Sequence, residues 1–153
     1  MIYTLVENVR SLFNVGAIFR TADGAGVSKI YLTGITGTPP HREIRKVALG
    51  AEESVDWEYV EDPVALVSRL KDKGVSIVVL ESTQNSQPFD QVEYKFPLCL
   101  VVGHEFNGVS QEMILQADQV VSIPMLGSKI SLNVSVAFGV AIYEILKAYK
   151  QPK

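Results

Sequence analysis

Cysteine is nearly absent from this chain of 153 residues, where Cys99 stands alone. One thiol makes no intramolecular disulfide framework and no cysteine-rich zinc site. Histidine is equally scarce, with His41 and His104 only. His104-Glu105 is followed by no second histidine at zincin spacing, and no metal is expected. No apolar run reaches the roughly 20 residues that cross a bilayer. Residues Met1 to Glu7 lack the basic and apolar stretches of a secretory signal. A cytoplasmic protein without a membrane partner is therefore expected. There is no Walker A loop. Gly24 and Gly26 begin a GxG, but Lys29 stands where the third glycine belongs, so the dinucleotide fingerprint fails. Positive charge is short as well. The net charge of -3 weighs mildly against a general nucleic-acid binder, and no DNA partner is expected.

What is present describes one domain over residues 1–153. Hydrophobic residues are 47% and charged residues 20% of the chain, neither a disordered nor a fibrous composition. Charge is unevenly spread. Residues 1–50 hold six Lys/Arg against three Asp/Glu, residues 51–100 four against ten, and the remainder four of each. The basic excess sits at Arg10, Arg20, Lys29, Arg42, Arg45 and Lys46, and such a patch can meet phosphates on an acidic protein.

Short β-type runs alternate with helical stretches. Strands are expected at Ile2–Val6, Lys29–Thr33, Trp57–Val60, Val75–Leu80, Leu98–Val102 and Gln119–Ile123. Helices are expected at Val15–Ala25 with Asn14 as cap, at His41–Leu49, from Asp62-Pro63 to Gly74, at Ser110–Ala117, and at Ser131–Tyr149. The runs VSIVVL and LCLVV are apolar throughout, as suits strands covered on both faces. The pattern implies an α/β fold with a mostly parallel sheet flanked by helices. Between Leu132 and Leu146 the last helix carries one formal charge, Glu144. Its Leu132, Val136, Val140 and Ile145 ask for more cover than one subunit supplies, so a second subunit is expected there.

Three segments place polar residues where packing alone would not. The first runs from Asn8-Val9-Arg10-Ser11 through Asn14 to Gly16-Ala17-Ile18-Phe19-Arg20-Thr21-Ala22-Asp23. Gly103-His104-Glu105-Phe106-Asn107-Gly108 leaves a buried strand through glycines. Ile123-Pro124-Met125 runs on to Ser131-Leu132-Asn133-Val134-Ser135-Val136-Ala137. Loops that follow parallel strands gather at the carboxyl edge of the sheet, where α/β proteins bind ligands. Together the segments resemble the three signature motifs of the SpoU, or TrmH-like, RNA ribose 2′-O-methyltransferases of the SPOUT superfamily, over nearly the whole chain.

The resemblance implies a single SPOUT domain with a C-terminal trefoil knot; many relatives carry an RNA-binding domain before the first motif, and with the first strand at Ile2 no appended RNA-binding domain is expected here. It implies S-adenosyl-L-methionine as cofactor, held at Gly103, Ile123 and Leu132, with Leu80 and Glu81 joining them. It also implies a homodimer through the first and last helices, and an RNA substrate, tRNA before rRNA. Arg20, Asn14, Glu105, Ser131 and Asn133 are the implied catalytic set. Arginine has donors but no acceptor, so Arg20 suits a fork onto phosphate and 2′-oxygen better than the role of base. Asn14 and Asn133 are expected to orient, and Ser131 to touch substrate or cofactor. Glu105 either positions Arg20 or Asn14, or fixes loop backbone. The competing expectation keeps the fold and drops methyl transfer, leaving an RNA- or cofactor-binding protein.

Overall fold

The apolar run Leu98–Val102 lies at the middle of the sheet, with each of its five residues buried. A computed structural model describes residues 1–151. The chain runs β1 (Ile2–Glu7), α1 (Leu12–Ala25), β2 (Lys29–Thr33), α2 (Arg42–Ala48), α3 (Ala51–Ser54), β3 (Asp56–Val60) and α4 (Pro63–Asp72). It continues through β4 (Ser76–Leu80), β5 (Gln87–Pro88), β6 (Leu98–Val102), α5 (Gln111–Gln116), β7 (Gln119–Ser122) and α6 (Val134–Lys150). The seven strands lie in the order β3-β2-β1-β6-β4-β7-β5, and every pairing is parallel.

Alternation along β6 divides the core. Leu98, Leu100 and Val102 face the layer that holds α1, α2 and α6, beside Ile18, Phe19, Ile44 and Phe138. Cys99 and Val101 face the opposite layer, where α4 and α5 contribute Leu66, Leu70 and Met113. Two glycines set the helix packing on the first face. A Cβ on Gly16 would lie 2.7 Å from the Ile44 carbonyl oxygen, so α2 crosses α1 there. A Cβ on Gly24 would lie 2.8 Å from the Tyr143 hydroxyl, which brings α6 against α1 within one subunit. Among the described residues no helix is long and apolar enough to cross a membrane.

The structure adjusts several expected boundaries. The cap of α1 is Ser11, whose hydroxyl accepts from the Asn14 N–H, so the helix opens one turn earlier and Asn14 is free for other partners. The last helix begins at Val134 with Asn133 as cap, which leaves Ser131 and Leu132 in the preceding loop. Strand β5 is only two residues long and α3 four, too short for a hydrophobic period to announce them. Ile145 is wholly buried beneath α6 instead of facing outward. The outward apolar side of α6 is Val136, Val140 and Tyr143, with Phe13 of α1 also exposed.

Strand order decides where loops meet. From β1 the chain proceeds outward through β2 and β3, whereas β6 connects over α5 to β7 on the other side. The sheet reverses direction between β1 and β6, and crevices open at the carboxyl ends of strands beside such a reversal.

Candidate functional site

Strand β6 ends at Val102 and releases the loop Gly103–Ser110, which is fastened by three carboxylates. Glu7, at the end of β1 and 3% exposed, accepts from the Ser110 N–H at 2.7 Å and from its hydroxyl at 2.6 Å. Glu81, just past β4, accepts from the Val109 N–H at 2.9 Å and the Ser82 N–H at 3.0 Å. Glu105 reaches out of the loop to the start of α1, accepting from the Arg10 N–H at 2.9 Å and the Ser11 N–H at 2.7 Å. Gly103 admits no side chain, since a Cβ would lie 2.6 Å from the Gly108 carbonyl and the Val109 nitrogen.

Glu105 also begins a chain of polar contacts that links the three unusual segments. The Asn14 amide donates to Glu105 at 3.1 Å, and the Asn133 amide donates to the Asn14 oxygen at 3.2 Å. Asn133 then caps α6, accepting from the Ser135 N–H at 2.9 Å and the Ser135 hydroxyl at 2.6 Å. Each amide is thereby fixed in orientation, because its oxygen must accept and its nitrogen must donate. Burial raises the Glu105 pKa, but the N–H groups of Arg10 and Ser11 and the Asn14 amide outweigh it and hold the carboxyl below its ordinary range.

Beside this chain lies a pocket of about 320 Å³ at the carboxyl ends of β4, β6 and β7. Leu80, Glu81, Gly103, Ile123 and Leu132 all line it, as do Glu105 and Ser131. Asn14 and Asn133 stand behind the wall, and Arg20 lies elsewhere. Arg20 is exposed on α1, and its side chain makes no ion pair or hydrogen bond among the described residues. Glu105 contacts Asn14 and loop backbone, and not Arg20.

The lining suits a ligand with a flat apolar part and polar edges. Leu80, Ile123, Leu132, Val134 and Ala137 supply the apolar surface, and Ser82, Ser122 and Ser131 supply hydroxyls. Residues 123–132 make no backbone–backbone hydrogen bond among the described residues, so their N–H and C=O groups remain available. Cys99 takes no part, since burial raises its thiol pKa far above neutrality. Sequence reasoning passed over Glu7. The only signal was an acidic residue directly after the apolar run of β1.

The sign of the Glu105 shift yields a prediction. A carboxyl whose folded pKa lies below its unfolded one stabilises in full above the ordinary value of 4.5 and loses that contribution as pH falls through the folded value. Glu105→Gln is expected to lower the urea midpoint at pH 7, with the gap from the parent narrowing as pH falls below the ordinary value of 4.5. A gap independent of pH would show that the charge plays no part.

The sequence pattern of the SpoU rRNA methylase family matches residues 1–143. A relative from Escherichia coli strain K12, a tRNA (guanosine(18)-2′-O)-methyltransferase, is 35% identical over 142 residues, covering 91% of this chain and 60% of its own length. The chain thus spans less than two thirds of that relative. Among solved structures, the Aquifex aeolicus TrmH/SpoU tRNA modifying enzyme superposes with a TM-score of 0.89 at 34% identity, over 97% of this chain and 75% of that one. A Sinorhizobium meliloti rRNA methyltransferase with bound AdoMet gives a TM-score of 0.89 at 27% identity, over 99% and 57%. The parallel sheet, the glycine-bounded loop after β6 and the linked Asn14, Glu105 and Asn133 accompany these likenesses, and the chain belongs to the SpoU rRNA methylase family.

Proposed function

We propose that this chain transfers a methyl group from S-adenosylmethionine to a ribose 2′-hydroxyl of RNA, with tRNA preferred over rRNA. The observation that carries the reading is the contact chain from Glu105 through Asn14 to Asn133. It ties three separate segments into one preorganised wall beside the pocket. Support also comes from the E. coli relative, which acts on tRNA, and from the S. meliloti neighbour, which holds the methyl donor. A cytoplasmic setting and a single domain belong to the same reading.

The pocket passes a test of fit for S-adenosylmethionine. An adenine ring needs apolar faces, given by Leu80, Ile123 and Leu132. Its edge needs backbone donors and acceptors, given by the unpaired groups of residues 123–132. Glu81 and the backbone beside Gly103 close the rim. When bound, the sulfonium supplies an activated methyl group. The protein's work is then to hold the ribose oxygen in line and stabilise the negative charge that develops on it. Asn14 and Asn133 hold the wall, and Ser131 lies within the pocket to touch substrate or donor. Arg20 forks onto phosphate and 2′-oxygen as a fixed planar donor. A phosphate, water or neighbouring oxygen takes the proton.

Arg20 lies off the pocket of its own subunit, and this gives the proposed dimer a function. The exposed apolar side made by Phe13, Val136, Val140 and Tyr143 lies on α1 and α6. Two such faces meeting would bury that side and bring Arg20 of one subunit toward the pocket of the other. In the same reading the last segment threads a trefoil knot, which draws the loops after β6 and β7 around one pocket. A crystal structure of the full chain with an unthreaded last helix would overturn the knot.

Three measurements test the reading. Mass spectrometry of nucleosides from total RNA, with and without the gene, is expected to show one 2′-O-methyl nucleoside lost. Binding of S-adenosylmethionine without any such loss would favour the binding-protein alternative. Sedimentation is expected to give a dimer at micromolar concentration, and Val136→Asp a monomer, because a charge left unpaired in an apolar interface costs about 3–5 kcal/mol. A monomeric parent would sink the dimer. Arg20→Ala and Arg20→Lys are both expected to lose at least about a hundredfold in methyl transfer, the scale of one preorganised donor. Calorimetric titration of S-adenosylmethionine should change little in either variant. Near-normal turnover by the Lys variant would show that charge alone suffices.

A further inference from the structure

The six cations concentrated in the first third of the chain separate in the structure. Lys29 pairs with Glu58 at 2.9 Å, Arg10 precedes α1, and Arg20 lies on it. The other three, Arg42, Arg45 and Lys46, stand on α2, and all are exposed. Spaced by three and four residues, they form one stripe along the helix. Ile44 and Ala48 are buried on the opposite side of α2, which is the side that Gly16 of α1 admits, since a Cβ there would meet the Ile44 carbonyl and Val47. The stripe therefore points away from the core of its own subunit.

Neither helix stability nor internal pairing accounts for the stripe. Cations suit the last turn of a helix, where Arg45 and Lys46 stand, but Arg42 opens α2, at the end that favours anions. The acid on α2 is Glu43, which Lys46 meets at 3.5 Å with both side chains more than half exposed, a contact that water screens. The Arg42 and Arg45 side chains make no ion pair or hydrogen bond among the described residues. Helix α2 thus carries three cations against one acid, on a chain whose net charge is -3 and whose residues 51–100 hold four Lys/Arg against ten Asp/Glu. Such a contrast turns a polyanion toward one face and repels it from the others.

We propose that the outer face of α2 is a docking surface for the phosphate backbone of the RNA, outside the pocket and apart from the nucleotide being methylated. Arg42 and Arg45 offer forked donors to phosphate oxygens, and Lys46 adds a point charge. Contacts of this kind hold the RNA in position and leave its sequence unread. Arg20 stands one turn along α1 from Gly16, where α2 crosses, and so borders the same side of the subunit. An RNA strand whose ribose is held by Arg20 can therefore continue over α2. The inference rests on the RNA methyl-transfer reading above.

The double variant Arg42→Gln/Arg45→Gln tests the surface. Both side chains are exposed and unpaired among the described residues, and glutamine sustains a helix about as well as arginine, so the fold is kept. Arg69→Gln/Lys73→Gln removes the same charge from α4 and its end, on the opposite layer, and serves as the control. The probe is deproteinised total tRNA from cells lacking the gene, bound to the full chain over a series of KCl concentrations. Each phosphate contact adds about 0.7–0.9 to the slope of log affinity against log salt. The α2 variant is therefore expected to flatten the slope by about 1.5 and to weaken binding at least about tenfold near 0.1 M salt. The control should match the parent. In methyl transfer, KM for tRNA should rise, with kcat at saturation and affinity for S-adenosylmethionine unchanged. An unflattened slope, an equal effect in the control, or a fall in kcat with KM unchanged would each overturn the surface. Loss of binding to phosphatidylserine vesicles with tRNA binding intact would reassign the face to a membrane. A parent that binds tRNA but methylates none loses the reaction reading, and the slopes still decide the role of α2.

Discussion

A carboxylate accepting backbone N–H groups is the fastening on which the site depends, and it is used three times around one loop. Glu7, Glu81 and Glu105 grip Ser110, Val109 and the Arg10–Ser11 turn, respectively. Removing charge from water is unfavourable unless hydrogen bonds replace the lost solvation, and amide dipoles do so here without a counter-ion. The loop needs this because it has little structure of its own, a single bridge between His104 and Gly108. Its two glycines allow backbones to approach until a Cβ on Gly103 would collide with the opposite strand of the loop. The carboxylates hold a shape that the glycines permit.

This choice of partner affects the rest of the electrostatics. Because the three acids near the loop are satisfied by N–H groups, they claim no basic side chain. The ion pairs among the described residues are Lys29–Glu58 and Lys46–Glu43, both away from the loop. Arg10, Arg20, Arg42 and Arg45 are left exposed without an anionic partner. A chain acidic overall can therefore still present free guanidinium groups on its surface, and local placement matters more than net charge for meeting a polyanion.

Much of this was legible in the sequence where one residue type answers to one physical demand. The apolar runs of β4 and β6 had to be covered on both faces, and they are. Asp62-Pro63 opened a helix as cap chemistry requires. Legibility failed where two residues can meet the same demand. Ser11 and Asn14 are both good caps, and Ser11 takes the role because the Asn14 side chain is drawn away by Glu105 and Asn133. Ile145 looked outward from its spacing alone, but the sheet lies beneath it. Glu7 was passed over because its partner, Ser110, is remote in sequence. Arg20 lies off the pocket although it sits in the same signature segment as Asn14, because neighbours along a helix point to different faces.

The same strand order has a consequence for how the chain is made. Strand β1 sits between β2 and β6, and Ile2 pairs with Leu98. On a ribosome, β2 emerges soon after β1, but β6 emerges only when most of the domain has been synthesised, roughly 5–20 s later at ordinary elongation rates. Throughout that interval one edge of an apolar strand has no partner, a template for pairing with other nascent chains. Non-local parallel pairing is also slow to nucleate, because a long loop must close before any contact rewards it. The arrangement that places β1 and β6 side by side leaves the newborn chain dependent on being shielded until its central strand arrives.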